Sequence, residues 1–126
     1  MKTNNQKKLR QESDRLWGLA CQKKWKDKCN ICNGLFNCVH HYFPKGLYGH
    51  LRYDLDNGVP ICAGCHFKIH TRHDTNVIMK VRELRGEKWF KELNKKAQET
   101  PSSYRGVKWY KEQIELLQTY LDNWLL

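Results

Sequence analysis

No apolar run in these 126 residues approaches the roughly 18–20 needed to cross a bilayer, so a transmembrane helix is excluded. The opening Met1-Lys2-Thr3-Asn4-Asn5-Gln6-Lys7-Lys8 contains no apolar secretion segment, and the chain is expected in the cytoplasm, that of a bacterial host if phage-encoded. Internal repeats beyond two paired cysteines are missing, as are low-complexity segments. Acidic residues are scarce: 13 Asp and Glu stand against 23 Lys and Arg, for a net charge of +10. That imbalance points to a polyanionic partner, nucleic acid first. The excess is uneven, at +6 over residues 1–28, zero over 29–65, +5 over 66–98 and −1 over 99–126. Basic arms flank a neutral centre. The length suits one domain with a modest core and helical extensions.

What is present is cysteine in a pattern. In a reducing compartment six cysteines are poor disulfide material, whereas Cys29-Asn30-Ile31-Cys32 and Cys62-Ala63-Gly64-Cys65 have the spacing of thiolate metal ligands. Four thiolates fill a tetrahedral zinc and leave no open position, so Cys29, Cys32, Cys62 and Cys65 predict a structural ion. Twenty-nine residues separate the pairs, more than in a minimal zinc ribbon, and something is inserted between the halves. A competing match is Cys62-Ala63-Gly64-Cys65-His66, the C-x-x-C-H of covalent haem attachment, which would leave Cys29 and Cys32 without a purpose. Cys21 and Cys38 read as reduced, partly buried thiols, with Cys38 alternatively a substitute zinc ligand.

Leu9, Leu16, Leu19 and Ala20 recur at helical spacing among Lys, Arg and Gln and predict a basic amphipathic helix over residues 7–25. Turn signals at Asn33-Gly34, Lys45-Gly46 and Asn57-Gly58 suit a knuckle and an irregular hairpin with strands at 39–43 and 59–61. A short helix over 63–71 would put His66 and His70 on one face. A further helix with Val77, Ile78, Val81 and Leu84 inward should break at Gly86 and resume through Trp89, Phe90 and Leu93. After the turn Thr100-Pro101-Ser102-Ser103, apolar residues at Val107, Tyr110, Ile114, Leu117, Leu121 and Trp124 form a coiled-coil-like seam. That face either folds back on its own domain or makes a homodimer contact.

His40 and His41 are neighbours on a predicted strand, so their side chains leave opposite faces and serve different tasks. If His40 joins His66 and His70 around an ion, three imidazoles leave positions open for water or a phosphate oxygen. His41 is then free as a base toward water, with Asn57 orienting its ring or its backbone. Taken singly, each histidine is more readily a solvated or hydrogen-bonded residue of a zinc-ribbon binding module than a ligand. His50 and His73 read as surface residues.

Together these residues resemble the HNH, or ββα-metal, endonucleases over 29–70: Cys29-x-x-Cys32, Val39-His40-His41, Leu55-Asp56-Asn57-Gly58-Val59-Pro60-Ile61-Cys62, Cys65-His66 and His70. The resemblance implies an α+β fold, a zinc-stapled ββα-metal core (29–74) between a basic N-terminal helix (1–28) and C-terminal helices (75–126). It also implies phosphodiester cleavage, with His41 as general base, Asn57 as its orienting residue, and His40, His66 and His70 on a catalytic Mg, Mn, Ni or Zn ion. A narrower likeness joins the leading helix, Leu51-Arg52-Tyr53-Asp54-Leu55-Asp56-Asn57, Arg82-Glu83-Leu84-Arg85-Gly86-Glu87-Lys88-Trp89 and Ser103-Tyr104-Arg105-Gly106. These resemble the Rap (NinG) recombination endonucleases of lambda-like phages, which act on branched DNA. His66 and the His40-His41 doublet depart from that pattern toward the histidine-rich sets of nuclease bacteriocins.

DNA is therefore the expected partner, with no membrane. Lys45, Arg52, Lys68 and Arg72 are the expected phosphate contacts, Lys45 and Arg52 being equally compatible with a solvated role, and His73 a further phosphate contact. Trp25, Trp89 and Trp109 are candidates for stacking on unpaired bases, with core packing the stronger reading for Trp89. Two other functions fit the same residues: a low-specificity or nicking nuclease of phage DNA processing or packaging, and a non-catalytic zinc-dependent DNA-binding protein.

Overall fold

The computed structural model describes residues 2–102, 104 and 106–124; the expectations for Ser103 and Arg105 lie outside them. The chain opens with helix α1 (Lys2–Trp25), which starts earlier than its apolar pattern predicts. Ser13, Leu16, Trp17, Ala20 and Cys21 share the buried stripe, and the buried Ser13 hydroxyl is satisfied by donating to the Leu9 carbonyl at 2.8 Å. Leu19, expected inward, is 41% exposed. The stripe is rotated toward Trp17 and Cys21. Lys26, at φ 83°, turns the chain out of the helix and into a knuckle around Cys29.

Strands β1 (Cys38–His41) and β2 (Gly58–Ile61) pair antiparallel with Cys38 opposite Ile61, Val39 opposite Pro60, His40 opposite Val59 and His41 opposite Gly58. Pro60 can donate nothing to a ladder, yet its carbonyl accepts from Asn30 N–H at 2.8 Å, so the knuckle covers the outer edge of β2. Because side chains alternate, Cys38, His40, Val59 and Ile61 face one core and Val39 and His41 the other.

Helix α2 (Ala63–His70) follows β2 directly, capped by the Cys62 sulfur accepting from Cys65 N–H. Helices α3 (Thr75–Arg85) and α4 (Glu87–Gln98) meet at Gly86, whose φ of 94° is a conformation few other residues adopt without strain. Val81, Trp89, Leu93 and Ala97 close the core beneath Val59 and Ile61. Leu84, predicted inward, is 58% exposed, and the half-buried Arg85 turns inward instead. Its guanidinium lies 3.6 Å from the Trp25 ring centroid and 5.1 Å from that of Trp89, and bonds the Asn30 side chain at 3.0 Å.

The predicted seam is helix α5 (Gly106–Trp124), and it folds back along α1. Trp109, Tyr110 and Leu117 are buried there with Leu16, Trp17, Ala20, Cys21 and Tyr53, while Trp124 is 53% exposed. The result is an α+β protein, mostly helical, with one small sheet held between two cores. Among the described residues no helix is long and apolar enough to cross a membrane.

Candidate functional site

The two cysteine pairs converge although the hairpin separates them in sequence. Cys29 and Cys32 sit on the knuckle after α1, Cys62 follows β2 as the N-cap of α2, and Cys65 lies in the first turn of α2; their sulfurs fall within 4.8 Å of one another. Cys32 Sγ and Cys62 Sγ are 3.5 Å apart. Thiolates on one tetrahedral zinc, with bonds of about 2.3 Å, stand about 3.8 Å apart, so the donor set fits. Backbone N–H groups of Cys32 and Cys65 approach Cys29 Sγ and Cys62 Sγ at 3.5 and 3.4 Å. Burial alone would raise the Cys29 thiol, but N–H groups of Cys32, Cys62 and Ile31 bring it down to about 6. Burial first, and then hydrogen bonding with Cys62 and Cys29, raises Cys65. These four cysteines can bind zinc.

Cys38 stands outside this set, half-buried in a cleft wall, so the substitute-ligand reading does not hold. Cys62 and Cys65 join Cys29 and Cys32 in one cluster, which argues against the haem reading. Cys21 is fully buried, and burial holds its thiol well above the ordinary range.

A second cluster lies on the other side of α2. His40 projects from β1, and His66 and His70 from successive turns of α2, with ring centroids 5.0 Å (His40–His70), 4.5 Å (His66–His70) and 6.1 Å (His40–His66) apart. Their ligand-capable nitrogens lie within 4.8 Å of one another. Desolvation, then the neighbouring His70, His66 and His41, lowers His40 to about 4; desolvation and His70 also lower His66. Neutral imidazoles offer lone pairs, so the three rings have the chemistry a divalent ion requires. They line a cleft of about 650 Å³ with His41, Lys45, Ile69 and Ile78.

His41 leaves the opposite face of β1, against Trp17, while still lining that cleft. Its Nε2 lies 3.0 Å from the Arg52 carbonyl, which can only accept; Nε2 therefore carries the proton and Nδ1 keeps the lone pair. Its ring stacks on Trp17 at a centroid distance of 4.2 Å and an interplanar angle of 10°. Burial lowers it to about 4, opposed by the Arg52 hydrogen bond, so the imidazole is neutral at pH 7.

Asn57 is fully buried but does not meet the His41 ring. Its Oδ1 accepts from Phe43 N–H at 2.7 Å, and its Nδ2 donates to the carbonyls of Phe43 and Leu51 at 3.1 and 3.3 Å. It pins the loop 42–57 behind His41, and its amide bonds neither the ring nor the backbone of His41, the two tasks expected of it. Arg52, expected to contact phosphate, is engaged within the fold. Its guanidinium grips Asp14 through two hydrogen bonds of 3.0 Å, so it is not a free phosphate clamp. A partly exposed pair of this kind is worth at most about 1 kcal/mol; it orients more than it stabilises.

Lys45 is exposed at the cleft rim, Lys68 is exposed on α2, and the exposed Arg72 lies 5.5 Å from the Phe67 ring centroid. The tryptophans are engaged within the fold. Trp25 and Trp89 donate to the Leu55 and Asp56 carbonyls at 2.8 and 3.0 Å, and Trp109 is 5% exposed. His50, expected on the surface, is half-buried and donates to the Lys96 carbonyl at 3.0 Å, whereas His73 is exposed.

Sequence reasoning missed Trp17 and Asp14. Both look like ordinary residues of an amphipathic helix, and their only local signal is the stripe Ser13, Leu16, Trp17, Ala20 and Cys21. Set against family models, curated proteins and solved structures, the chain matches none.

Proposed function

We propose that this protein is a metal-dependent DNA endonuclease of the HNH type, selective for branched or recombining DNA. The observation that supports this reading most is the juxtaposition of His40, His66 and His70, mutually within reach of one ion, with a neutral imidazole at the adjacent His41. A divalent ion held by the three rings would offset charge on a scissile phosphate and its departing oxygen. His41, with Nε2–H held by the Arg52 carbonyl, presents Nδ1 to take a proton from an attacking water. Lys45 stands on the cleft rim to meet an adjacent phosphate. The Cys29, Cys32, Cys62 and Cys65 set, as a zinc staple, anchors the start of α2 and hence His66 and His70.

The test is cleavage of supercoiled plasmid, linear duplex and synthetic four-way junctions with Mg, Mn, Ni or Zn, comparing wild type with His41→Ala. Metal-dependent cutting lost in His41→Ala supports the enzyme. Two proteins that bind DNA yet are equally inert with every metal would reduce the chain to a zinc-dependent DNA-binding protein. Equal cutting of linear duplex and junction would remove the branched selectivity and leave the low-specificity or nicking nuclease.

A further inference from the structure

The contacts of His41 come from two directions, and both lead back to α1. One side of its ring lies parallel to Trp17 at 4.2 Å. Its Nε2 is tied to the Arg52 carbonyl, and the Arg52 side chain is held by the two-point grip of Asp14, almost one helical turn before Trp17. Trp17 is itself fixed, donating from its indole N–H to the Asp54 carbonyl at 2.9 Å. Gly58, directly across the ladder from His41, is where that indole comes close. A Cβ at Gly58 would stand 2.3 Å from Cys21 Sγ and 3.0 Å from Trp17 Cζ2. A bare glycine thus lets α1 lie against the histidine.

We infer that α1 is the positioning arm of the catalytic centre: Trp17 fixes the plane of the His41 ring, and Asp14, through Arg52, fixes the carbonyl that selects its tautomer. The inference rests on His41 being the base. A half-buried histidine ring still has side-chain torsions that swing it and two tautomers, and with Nε2 bonded to the Arg52 carbonyl only one of these leaves Nδ1 its lone pair. The stack limits the first freedom and the carbonyl the second. Trp17 acts through His41 and Asp14 through Arg52, so both are positioning residues.

The experiment uses the full, zinc-loaded chain with Asp14→Asn, Trp17→Leu and Trp17→Phe. Single-turnover cleavage at saturating protein should fall about 10-fold in Asp14→Asn and Trp17→Leu, with half-saturating concentration and metal affinity within about two-fold of wild type. Trp17→Phe, which keeps a flat face, should retain most of the rate. Long-range ¹H–¹⁵N spectra of the histidine rings should show one Nε2–H tautomer for His41 in wild type and a mixture in Asp14→Asn and Trp17→Leu. A folded Asp14→Asn with wild-type tautomer and rate overturns the inference, whatever Trp17→Leu does. Weaker DNA binding at an unchanged saturating rate also overturns it, since α1 would then be a DNA contact. If wild type cleaves nothing, the proposed function fails, while the tautomer spectra still decide whether α1 holds the ring.

Discussion

Asn57 closes a two-bonded ring with the backbone of Phe43, accepting from its N–H at 2.7 Å and donating to its carbonyl at 3.1 Å. The amide stands in for a strand partner two residues beyond His41, just where the ladder between β1 and β2 ends. The loop that carries Lys45 and Arg52 therefore leaves the sheet in one direction, and the Arg52 carbonyl is brought back to His41.

Replacing that amide should be costly. Asn57→Leu takes the side-chain partner from both the N–H and the carbonyl of Phe43, each worth about 1–3 kcal/mol when unsatisfied, while the Leu51 carbonyl keeps the Asp54 N–H. Urea unfolding should show a loss of at least about 2 kcal/mol, and hydrogen exchange at Phe43 should accelerate more than at Val81. Near-wild-type stability would mean that the loop finds other partners.

Metal removal should unfold the knuckle and hairpin. Apparent binding free energies of about 10–16 kcal/mol for structural zinc are as large as the whole net stability typical of a domain, about 5–15 kcal/mol. Elemental analysis should find one tightly held zinc lost in Cys32→Ser or Cys65→Ser, with far-UV circular dichroism showing partial unfolding on chelation. Cys38→Ser should keep that zinc, because Cys38 lies outside the sulfur cluster.

The histidine cluster should bind a second divalent ion. Calorimetry with Ni on the zinc-loaded protein should give a site weakened by at least about 100-fold in His40→Ala or His70→Ala, the loss of a direct ligand exceeding the 10–100-fold typical of outer-shell changes. The thiolate-bound zinc should persist in both variants. Unchanged Ni affinity in both would show that the rings do not act together.

Acid should destabilise the protein through His41 in a defined window. The folded ring sits at about 4 against an ordinary 6.5, so between these values the unfolded chain binds the proton that the native state refuses. Stability is complete above pH 6.5 and falls as pH drops toward 4, by at most about 3 kcal/mol for this group. His41→Asn should show a shallower decline over that window than wild type, read from denaturant midpoints at each pH. Parallel curves would place the acid sensitivity elsewhere.

Gly58→Ala should strike Cys21 and Trp17, since the added methyl would sit 2.3 Å from the Cys21 sulfur. Overpacking of this kind costs about 1–3 kcal/mol. Because Cys21→Ala removes that sulfur, the double variant should be more stable than the sum of the two single losses. Strict additivity in the double-mutant cycle would argue against direct contact.

Local pattern carried a good deal of this. Apolar period, Gly86 and the turn dipeptides placed the elements to within a few residues, because each reports a backbone preference acting over one or two turns. The Cys-x-x-Cys pairs and the four-residue spacing of His66 and His70 also reported their grouping, since ligand spacing is itself local geometry. Long-range partners were not legible. Leu84 stays exposed and Arg85 turns inward because two distant tryptophans, Trp25 and Trp89, offer ring faces to a guanidinium.

By itself the sequence determined an α+β chain with basic flanking helices, two convergent cysteine pairs and histidines on facing elements. Only the tertiary structure decided that Asn57 serves Phe43, that Arg52 answers to Asp14, that the terminal seam packs on α1, and that Trp17 lies against His41. Periodicity tells a residue which face of its own element it occupies, but which distant residue meets that face is settled only when the elements bury their apolar stripes together.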